Sequence, residues 1–190
     1  MEAIVLAAGY SSRAKDFKMN LLLGNQTVLQ HTIKHFEDFC SRIIVVGGYK
    51  IELIREQLDG FRLNTTVELV YNDRFHEGMF RSIQRGCQML EEDMFFLTPG
   101  DYPLIQKETI QNLASLCGEV IIPSYQGYGG HPIRLGKAVK KAIINAYEKD
   151  NLRNILKDFN KTYIDVEDPG ILMDLDTPKD YKNLKNNLKK

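Results

Sequence analysis

The sequence predicts an α/β fold with a mostly parallel central sheet flanked by helices. Short β-rich apolar runs alternate along the chain with segments of helical period, the pattern of βα units. The 190 residues, 43% of them hydrophobic, are enough for one full core. No composition break or internal repeat divides the chain, so residues 1–190 read as a single domain.

Strands are expected at residues 3–6, 43–46, 67–70, 94–97, 120–122 and 162–166, where the apolar runs are short and rich in Ile, Val and Phe. Between them, Leu29, Ile33 and Phe36 mark one helical face, and Ile51, Ile54 and Leu58 a second. Ile83, Cys87 and Leu90 mark a third, Leu113, Leu116 and Cys117 a fourth, and Val139, Ile143 and Tyr147 a fifth. Pro178 is placed to open the last helix, where its missing N–H costs nothing. The basic, Asn-rich residues 182–190 read as the solvated end of that helix.

Charge and cysteine usage narrow the function classes. Twenty-five basic and 25 acidic residues give a formal charge of zero, so no global field holds a polyanion, and no nucleic acid partner is expected. A local cluster still suffices for a small anion. Cys40, Cys87 and Cys117 are odd in number and far apart, which argues against a disulfide framework or zinc site and for burial as small apolar residues in a reducing compartment. No run approaches the ~18 apolar residues of a membrane span, and the expectation is a soluble, cytoplasmic protein with no membrane partner.

In open parallel sheets, ligands bind beyond the carboxyl ends of the strands. That rule selects residues 8–18, 47–49, 71–79 and 98–103, where the unusual residues concentrate. After Ile4, Val5 and Leu6, the small residues Ala7, Ala8 and Gly9 let backbone N–H groups approach a ligand, and Arg13 and Lys18 lie within a loop's reach. A guanidinium grips phosphate oxygens in a bidentate way and an ammonium acts as a mobile point charge, which suits a triphosphate. The alternative is a strand followed by a surface loop with solvated cations. A Walker loop is excluded because Gly9 is followed by Tyr10-Ser11-Ser12, and a dinucleotide fingerprint because the next glycine is Gly24.

Thr98-Pro99-Gly100-Asp101-Tyr102-Pro103 puts a carboxylate at a strand's carboxyl end in a rigid turn. Asp101 is sited there to hold Mg²⁺, which favours oxygen ligands and one or two carboxylates, or else merely to close the turn. Alternation over residues 173–176 points Asp174 and Asp176 to the same side, and Asp176 or Thr177 is positioned to cap the following helix. Capping accounts for one of these acids but not both. The Tyr125-Gln126-Gly127-Tyr128-Gly129-Gly130 run has the flexibility of a lid, and Gly130-His131-Pro132 follows it as a turn or an acceptor-side element. Asn72 and Asp73 read locally as the start of a turn, with Arg74 solvated.

Leu6, Ala7, Ala8, Gly9, Ser11, Arg13 and Lys18 fall in register with the Leu-Ala-Ala-Gly-x-Ser-x-Arg-Met-Gly-x-x-Lys signature of the MobA and MocA-like nucleotidyltransferases. The chain also resembles that family in Gly100-Asp101-Tyr102-Pro103, in Gly130-His131-Pro132, in Asp174-Leu175-Asp176-Thr177-Pro178-Lys179-Asp180, and in Asn72 through Gly78-Met79 and Ser82. The resemblance covers essentially the whole chain and is closer to the cytidylyltransferase branch. It implies a Rossmann-like nucleotidyltransferase fold, Mg²⁺ held by Asp101 and Asp174 with Asp176 as cap or secondary ligand, and Arg13, Lys18 and Asp101 as catalytic residues. It implies further that Leu6, Ala7, Ala8, Gly9, Ser11, Arg13 and Lys18 bind the nucleotide, that Asn72, Gly78 and Ser82 close over base and sugar, and that His131 serves the acceptor side. Phe80-Arg81 stands where the family has small residues, which predicts a narrower or more charged pocket. Ala14-Lys15 stands where the family has Met-Gly, so Lys15 either takes the glycine's backbone geometry, moves the phosphate loop or adds a phosphate cation, a departure that bears on catalytic efficiency more than on fold.

What the resemblance implies as activity is transfer of CMP from CTP to the molybdopterin-bound molybdenum cofactor with release of pyrophosphate. The partners are then CTP or another NTP, a phosphate-bearing acceptor, and a molybdoenzyme or cofactor-delivery protein. Ala8 favours CTP over GTP, because a Leu-Ala-Ala-Gly loop accompanies the cytidylyltransferases and Leu-Ala-Gly-Gly the guanylyltransferases. Two alternatives stand beside it: a nucleotidyltransferase using GTP or another phosphate monoester such as a sugar phosphate or phosphocholine, and a non-catalytic nucleotide sensor or cofactor chaperone.

Overall fold

Glu2 is followed by five apolar residues, and in the computed structural model, which describes residues 1–10, 18–147 and 150–187, they form β1 (Glu2–Ala7), buried along its whole length. A small antiparallel pair, β2 (Leu22–Leu23) and β3 (Gln26–Thr27), leads into α1 (Val28–Lys34), whose start is fixed by a capping box in which Thr27 and Gln30 satisfy each other's backbone N–H. There follow β4 (Arg42–Gly47), α2 (Ile51–Leu58), β5 (Thr66–Tyr71), α3 (Met79–Met89), β6 (Phe95–Pro99), α4 (Lys107–Ser115) and β7 (Val120–Tyr125). The chain continues through β8 (Tyr128–Gly129), β9 (Ile133–Leu135), α5 (Lys137–Asn145), α6 (Leu152–Ile155), β10 (Lys161–Asp165) and α7 (Pro178–Asn187).

The sheet runs in the order β10-β7-β9-β6-β1-β4-β5, with β8 paired to β7. The pairs β6–β1, β1–β4, β4–β5 and β7–β10 are parallel. Alternation along β1 divides the core into two layers. Ala3, Val5 and Ala7 pack with Leu29, Ile33, Ile54, Ile110 and Leu113 from α1, α2 and α4, while Ile4 and Leu6 pack with Phe80, Ile83, Cys87, Val139 and Ile143 from α3 and α5. A third cluster, Leu23, Val28, Leu175 and Leu184, docks α7 against β2 and α1. No helix among the described residues is long and apolar enough to cross a membrane.

All six expected strands are present, and four features differ from expectation. β9 is an additional strand, inserted antiparallel between β6 and β7; at three residues it is too short to announce itself by period, and its partners on both sides define it. The expected lid is the β7–β8 hairpin instead, closed by Gln126 and Gly127 with φ of 51° and 82°, the left-handed pair that a two-residue turn between twisted strands requires. The fourth helical stripe stops early: α4 ends at Ser115, Leu116 is 37% exposed and Cys117 is exposed, so Cys117 is not the buried residue expected. Tyr147 likewise lies past the end of α5 and is 85% exposed. Cys40 and Cys87 are buried as expected, and burial pushes both thiols up to about 12.

Candidate active site

The carboxyl ends of β1 and β6, the turn at Phe75 and His76 that follows β5, and the start of α3 border a cleft of about 290 Å³. Leu6, Ala8 and Gly9 form one wall, Gly78, Met79 and Ser82 another, and Lys18 and Asp101 the polar end. Tyr10 is 52% exposed at the rim, where its ring stands 5.2 Å from that of Tyr49 and 5.4 Å from that of Phe75. Ala7 points into the core instead, so only its backbone faces this region. Ser11, Arg13 and the Ala14-Lys15 pair lie outside the described residues.

The loop bearing Asp101 is held from below by α1. Thr32 Oγ1 donates to the Gly100 carbonyl at 3.0 Å, and His35 Nε2 bonds the Pro103 carbonyl at 3.0 Å. Burial lowers the His35 ring to about 4, so it is neutral and donates to that carbonyl. Gly100 N–H donates to the Leu6 carbonyl at 2.8 Å, and a side chain at Gly100 would meet Leu29 at 3.0 Å and the Leu6 carbonyl at 3.1 Å; only glycine lets the loop lie this close. Sequence reasoning did not select Thr32 or His35. Their signal, polar residues on the buried face of an apolar helix, was present.

Three carboxylates gather at the polar end. Asp101, Asp174 and Asp176 each bring an oxygen within 4.8 Å of the others'. Asp101 is 4% exposed, its Oδ2 accepts from the Lys18 ammonium, and its Oδ1 is buried without a hydrogen-bond partner among the described residues. Lys18 also donates to Asp176 Oδ1 at 3.2 Å. Burial by itself would lower the Lys18 ammonium, but Asp101 and then Asp176 outweigh it and hold the group above its ordinary value. Asp174 is raised by burial first and by Asp176 and Asp101 next. Among the described residues one ammonium therefore faces three acids, and this cluster together with the buried Asp101 oxygen fits a divalent cation bound by oxygen ligands.

The capping question resolves against Asp176. Thr177 Oγ1 accepts from Asp180 N–H at 3.3 Å, while Asp180 accepts from the backbone N–H of Thr177 at 2.7 Å and of Asp176 at 3.2 Å. The turn into α7 is thus tied by Thr177 and Asp180. Tyr181 Oη donates to the Leu22 carbonyl at 2.6 Å, and with Leu175 and Leu184 it fixes the acidic segment beside Lys18.

His131 sits on the far side of Asp101, with its ring 5.0 Å from that of Tyr102 and its backbone N–H donating to the Ile171 carbonyl at 3.0 Å. Burial holds its pKa below the ordinary value, against the Leu97 carbonyl and Asp101, so the ring is neutral near pH 7 and orders the Asp101 loop through Tyr102. Tyr102 was not selected from the sequence; burial and the three aspartates push its phenol up and keep it protonated.

On the opposite wall, Asn72 is buried, donates from Nδ2 to Ser82 Oγ at 3.0 Å and accepts from Arg74 N–H at 3.1 Å, so its amide braces the wall from behind. Phe80 turns into the core and Arg81 bonds Glu77 and Gln84, so neither narrows nor charges the cleft, contrary to expectation. α3 presents one face to the cleft, and Met79 and Ser82 occupy it.

Residues 3–164 match the family described as the MobA-like NTP transferase domain. The molybdenum cofactor cytidylyltransferase of Escherichia coli (strain K12) is 30% identical over 182 residues, 95% of this chain and 93% of that protein. Among solved structures, a nucleotidyl transferase from Methanothermobacter thermautotroptrophicus superposes with a TM-score of 0.85 at 22% identity, covering 99% of this chain and 97% of that one. A Mycobacterium tuberculosis protein in complex with manganese gives 0.75 at 20% identity, covering 97% of each chain. These structural likenesses establish a Rossmann-like nucleotidyltransferase fold.

Proposed function

The chain belongs to the MobA-like NTP transferase family, and from that premise we propose that it transfers CMP from CTP to the molybdopterin-bound molybdenum cofactor in the cytoplasm, as one domain. The single observation that carries the reading is the convergence of Lys18, Asp101, Asp174 and Asp176 at the polar end of a cleft walled by Leu6, Ala8 and Gly9. Family membership makes the chain a nucleotidyltransferase of the MobA and MocA type. The choice of CTP is supported by the 30% identical cytidylyltransferase and by Ala8, whose methyl takes room a purine would need.

In the proposed reaction a phosphate oxygen of the acceptor forms a bond to the α-phosphorus of CTP, and the bond from that phosphorus to the bridging oxygen breaks. Pyrophosphate leaves with the electron pair. The acceptor is already a nucleophile, so no general base is needed, and the chain's task is alignment and charge neutralisation. Gly9 and its neighbours offer small residues at the triphosphate, and Lys18 offers a cation, a role the family signature assigns to Arg13 as well. Asp101 and Asp174, with Asp176, would hold Mg²⁺, which when bound supplies charge neutralisation at the transferring phosphoryl group. His131 and Tyr102 keep the Asp101 loop in place on the acceptor side, and Asn72 supports Ser82 on the base side, where Gly78 also lines the cleft.

The test is a titration of the four nucleoside triphosphates with Mg²⁺, followed by turnover with molybdenum cofactor and with a panel of sugar phosphates and phosphocholine. CTP-dependent pyrophosphate release with the cofactor is expected. Preference for GTP removes the cytidylyl assignment, turnover only with another monoester removes the acceptor, and nucleotide binding without turnover turns the chain into a sensor.

A further inference from the structure

The loop after β4, residues 47–49, lies beyond the carboxyl end of a parallel strand yet supplies none of the acids or cations of the cleft. Backbone bonds stitch it to its neighbours. The Asn72 N–H donates to the Gly47 carbonyl at 2.9 Å, and the Tyr49 N–H to the Ala8 carbonyl at 3.4 Å. Gly48 is where bulk is excluded: a Cβ there would stand 2.5 Å from the Cβ of Phe75 and 3.0 Å from that of Ala8. The missing side chain lets Phe75 lie against the end of β4, beside Ala8.

The outcome is an aromatic rim drawn from three separate loops, with Tyr10 following β1, Tyr49 following β4 and Phe75 following β5. The Tyr10 ring stands 5.2 Å from Tyr49 at an interplanar angle of 44° and 5.4 Å from Phe75 at 55°, and His76 meets Phe75 edge-on at 6.0 Å. Neither neighbouring ring lies flat on Tyr10, so these contacts fix its position and still leave the residue 52% exposed. Tyr10, Phe75, His76 and the 63% exposed Met79 all line the nucleotide cleft. Mutual packing accounts for Tyr49 and Phe75, which are both half-buried. It does not account for Tyr10, whose ring stays in water at the rim of a cleft built for a ligand.

We propose that Tyr10 is a binding residue whose ring stacks on the nucleobase of the substrate, with Phe75 as its fixed support. The inference rests on the nucleotide reading above and deepens it. Lys18 and the aspartates suit the charged end of a nucleoside triphosphate, whereas its planar heterocycle needs a flat apolar surface. A base laid on Tyr10 removes two flat faces from water at once. Every base has such a face, so stacking adds affinity without choosing among bases, and the choice stays with the Ala8 methyl. Tyr10 and Ala8 thus divide affinity from selectivity within one loop.

Calorimetry with CTP, GTP and inorganic tripolyphosphate, each with Mg²⁺, tests the assignment on the wild-type chain and on variants at Tyr10. Tyr10→Ala is expected to bind both nucleotides roughly tenfold more weakly and to bind tripolyphosphate, which has no base, as the wild type does. Tyr10→Phe should keep wild-type affinity, because the ring and not the hydroxyl is used. Tyr10→Trp introduces the only tryptophan in the chain, and its fluorescence should change with CTP but not with tripolyphosphate. Unchanged nucleotide affinity in Tyr10→Ala, or an equal loss for tripolyphosphate, overturns the stacking role. If Tyr10→Ala fails to fold, a Tyr10→Trp signal that ignores bound CTP overturns it instead. A shifted CTP-to-GTP affinity ratio in Tyr10→Ala overturns the division of labour with Ala8. A wild-type chain that binds neither nucleotide strikes the proposed function together with this role, whereas one that binds CTP as tightly without the Tyr10 ring strikes this role alone.

Discussion

Two buried carboxylates stand at opposite ends of the sheet, and their partners set them apart. Glu2, 1% exposed at the amino end of β1, accepts from Arg42 Nε at 2.7 Å and from the backbone N–H groups of Glu91 and Glu92 at 2.7 Å each. Asp101, 4% exposed beyond the carboxyl end of β6, shares one ammonium with Asp176, has an oxygen without a partner among the described residues and faces two more acids. A saturated buried carboxylate ties elements together, and an undersatisfied one is poised for a cation that arrives with the ligand.

The largest effect expected from this contrast is at Asp101. Asp101→Asn should lower kcat by about 10²–10³-fold or more without lowering Tm, since the amide keeps the shape but not the charge. Turnover assays paired with thermal melts check it, and near-normal turnover would place the cation elsewhere. Glu2→Ala should do the reverse. Removing the acceptor of an ion pair and two backbone donors should cost about 2–4 kcal/mol, roughly 5–12 °C in a chain of this size, with kcat per folded molecule unchanged; a loss of activity without a loss of stability would erase the distinction.

Lys18 sharpens the comparison. Its ammonium occupies the aspartate cluster, so Lys18→Ala should tighten Mn²⁺ binding to the nucleotide-free protein several-fold, up to about tenfold or roughly 1.4 kcal/mol, while turnover falls. Electron paramagnetic resonance of free Mn²⁺ reads this directly, and weaker Mn²⁺ binding would show that Lys18 organises the acids instead of competing for them.

The smallest effect belongs to Asp174. Its carboxyl is raised by burial and by its acidic neighbours, so the stability it contributes is present while it is protonated and is lost as pH rises through the raised pKa. At pH 7 the metal-free protein carries that strain, and Asp174→Asn should relieve it, raising Tm by about 2–4 °C for roughly 1 kcal/mol after allowance for partial exposure. The gain should shrink toward acid pH. A pH series of melts with and without Mg²⁺ is the measurement, and a gain that persists at acid pH would count against the charge argument.

The acidic residues were legible because each carries a local mark: Asp101 follows a strand and a glycine, and Asp174 and Asp176 alternate before a proline-started helix. Their supports were not. Thr32 and His35 act on a loop 68 residues away, and nothing short-range in the sequence joins them to Gly100 and Pro103. His131 was legible as a member of a motif, while its neutral state follows from burial against Tyr102 and so from packing.

By itself the sequence determined the parallel core strands, most helix faces, the small-residue loop after β1 and the identity of the three acids, because periodicity and turn chemistry are written within about ten residues. Tertiary structure alone decided that β9 enters the sheet antiparallel, that the glycine-rich run closes a hairpin, that Thr177 rather than Asp176 caps α7, and that Arg81 turns away from the nucleotide cleft. These outcomes depend on which surfaces meet across the sheet and on which polar groups find partners there, and burial fixes them only once the whole chain has packed.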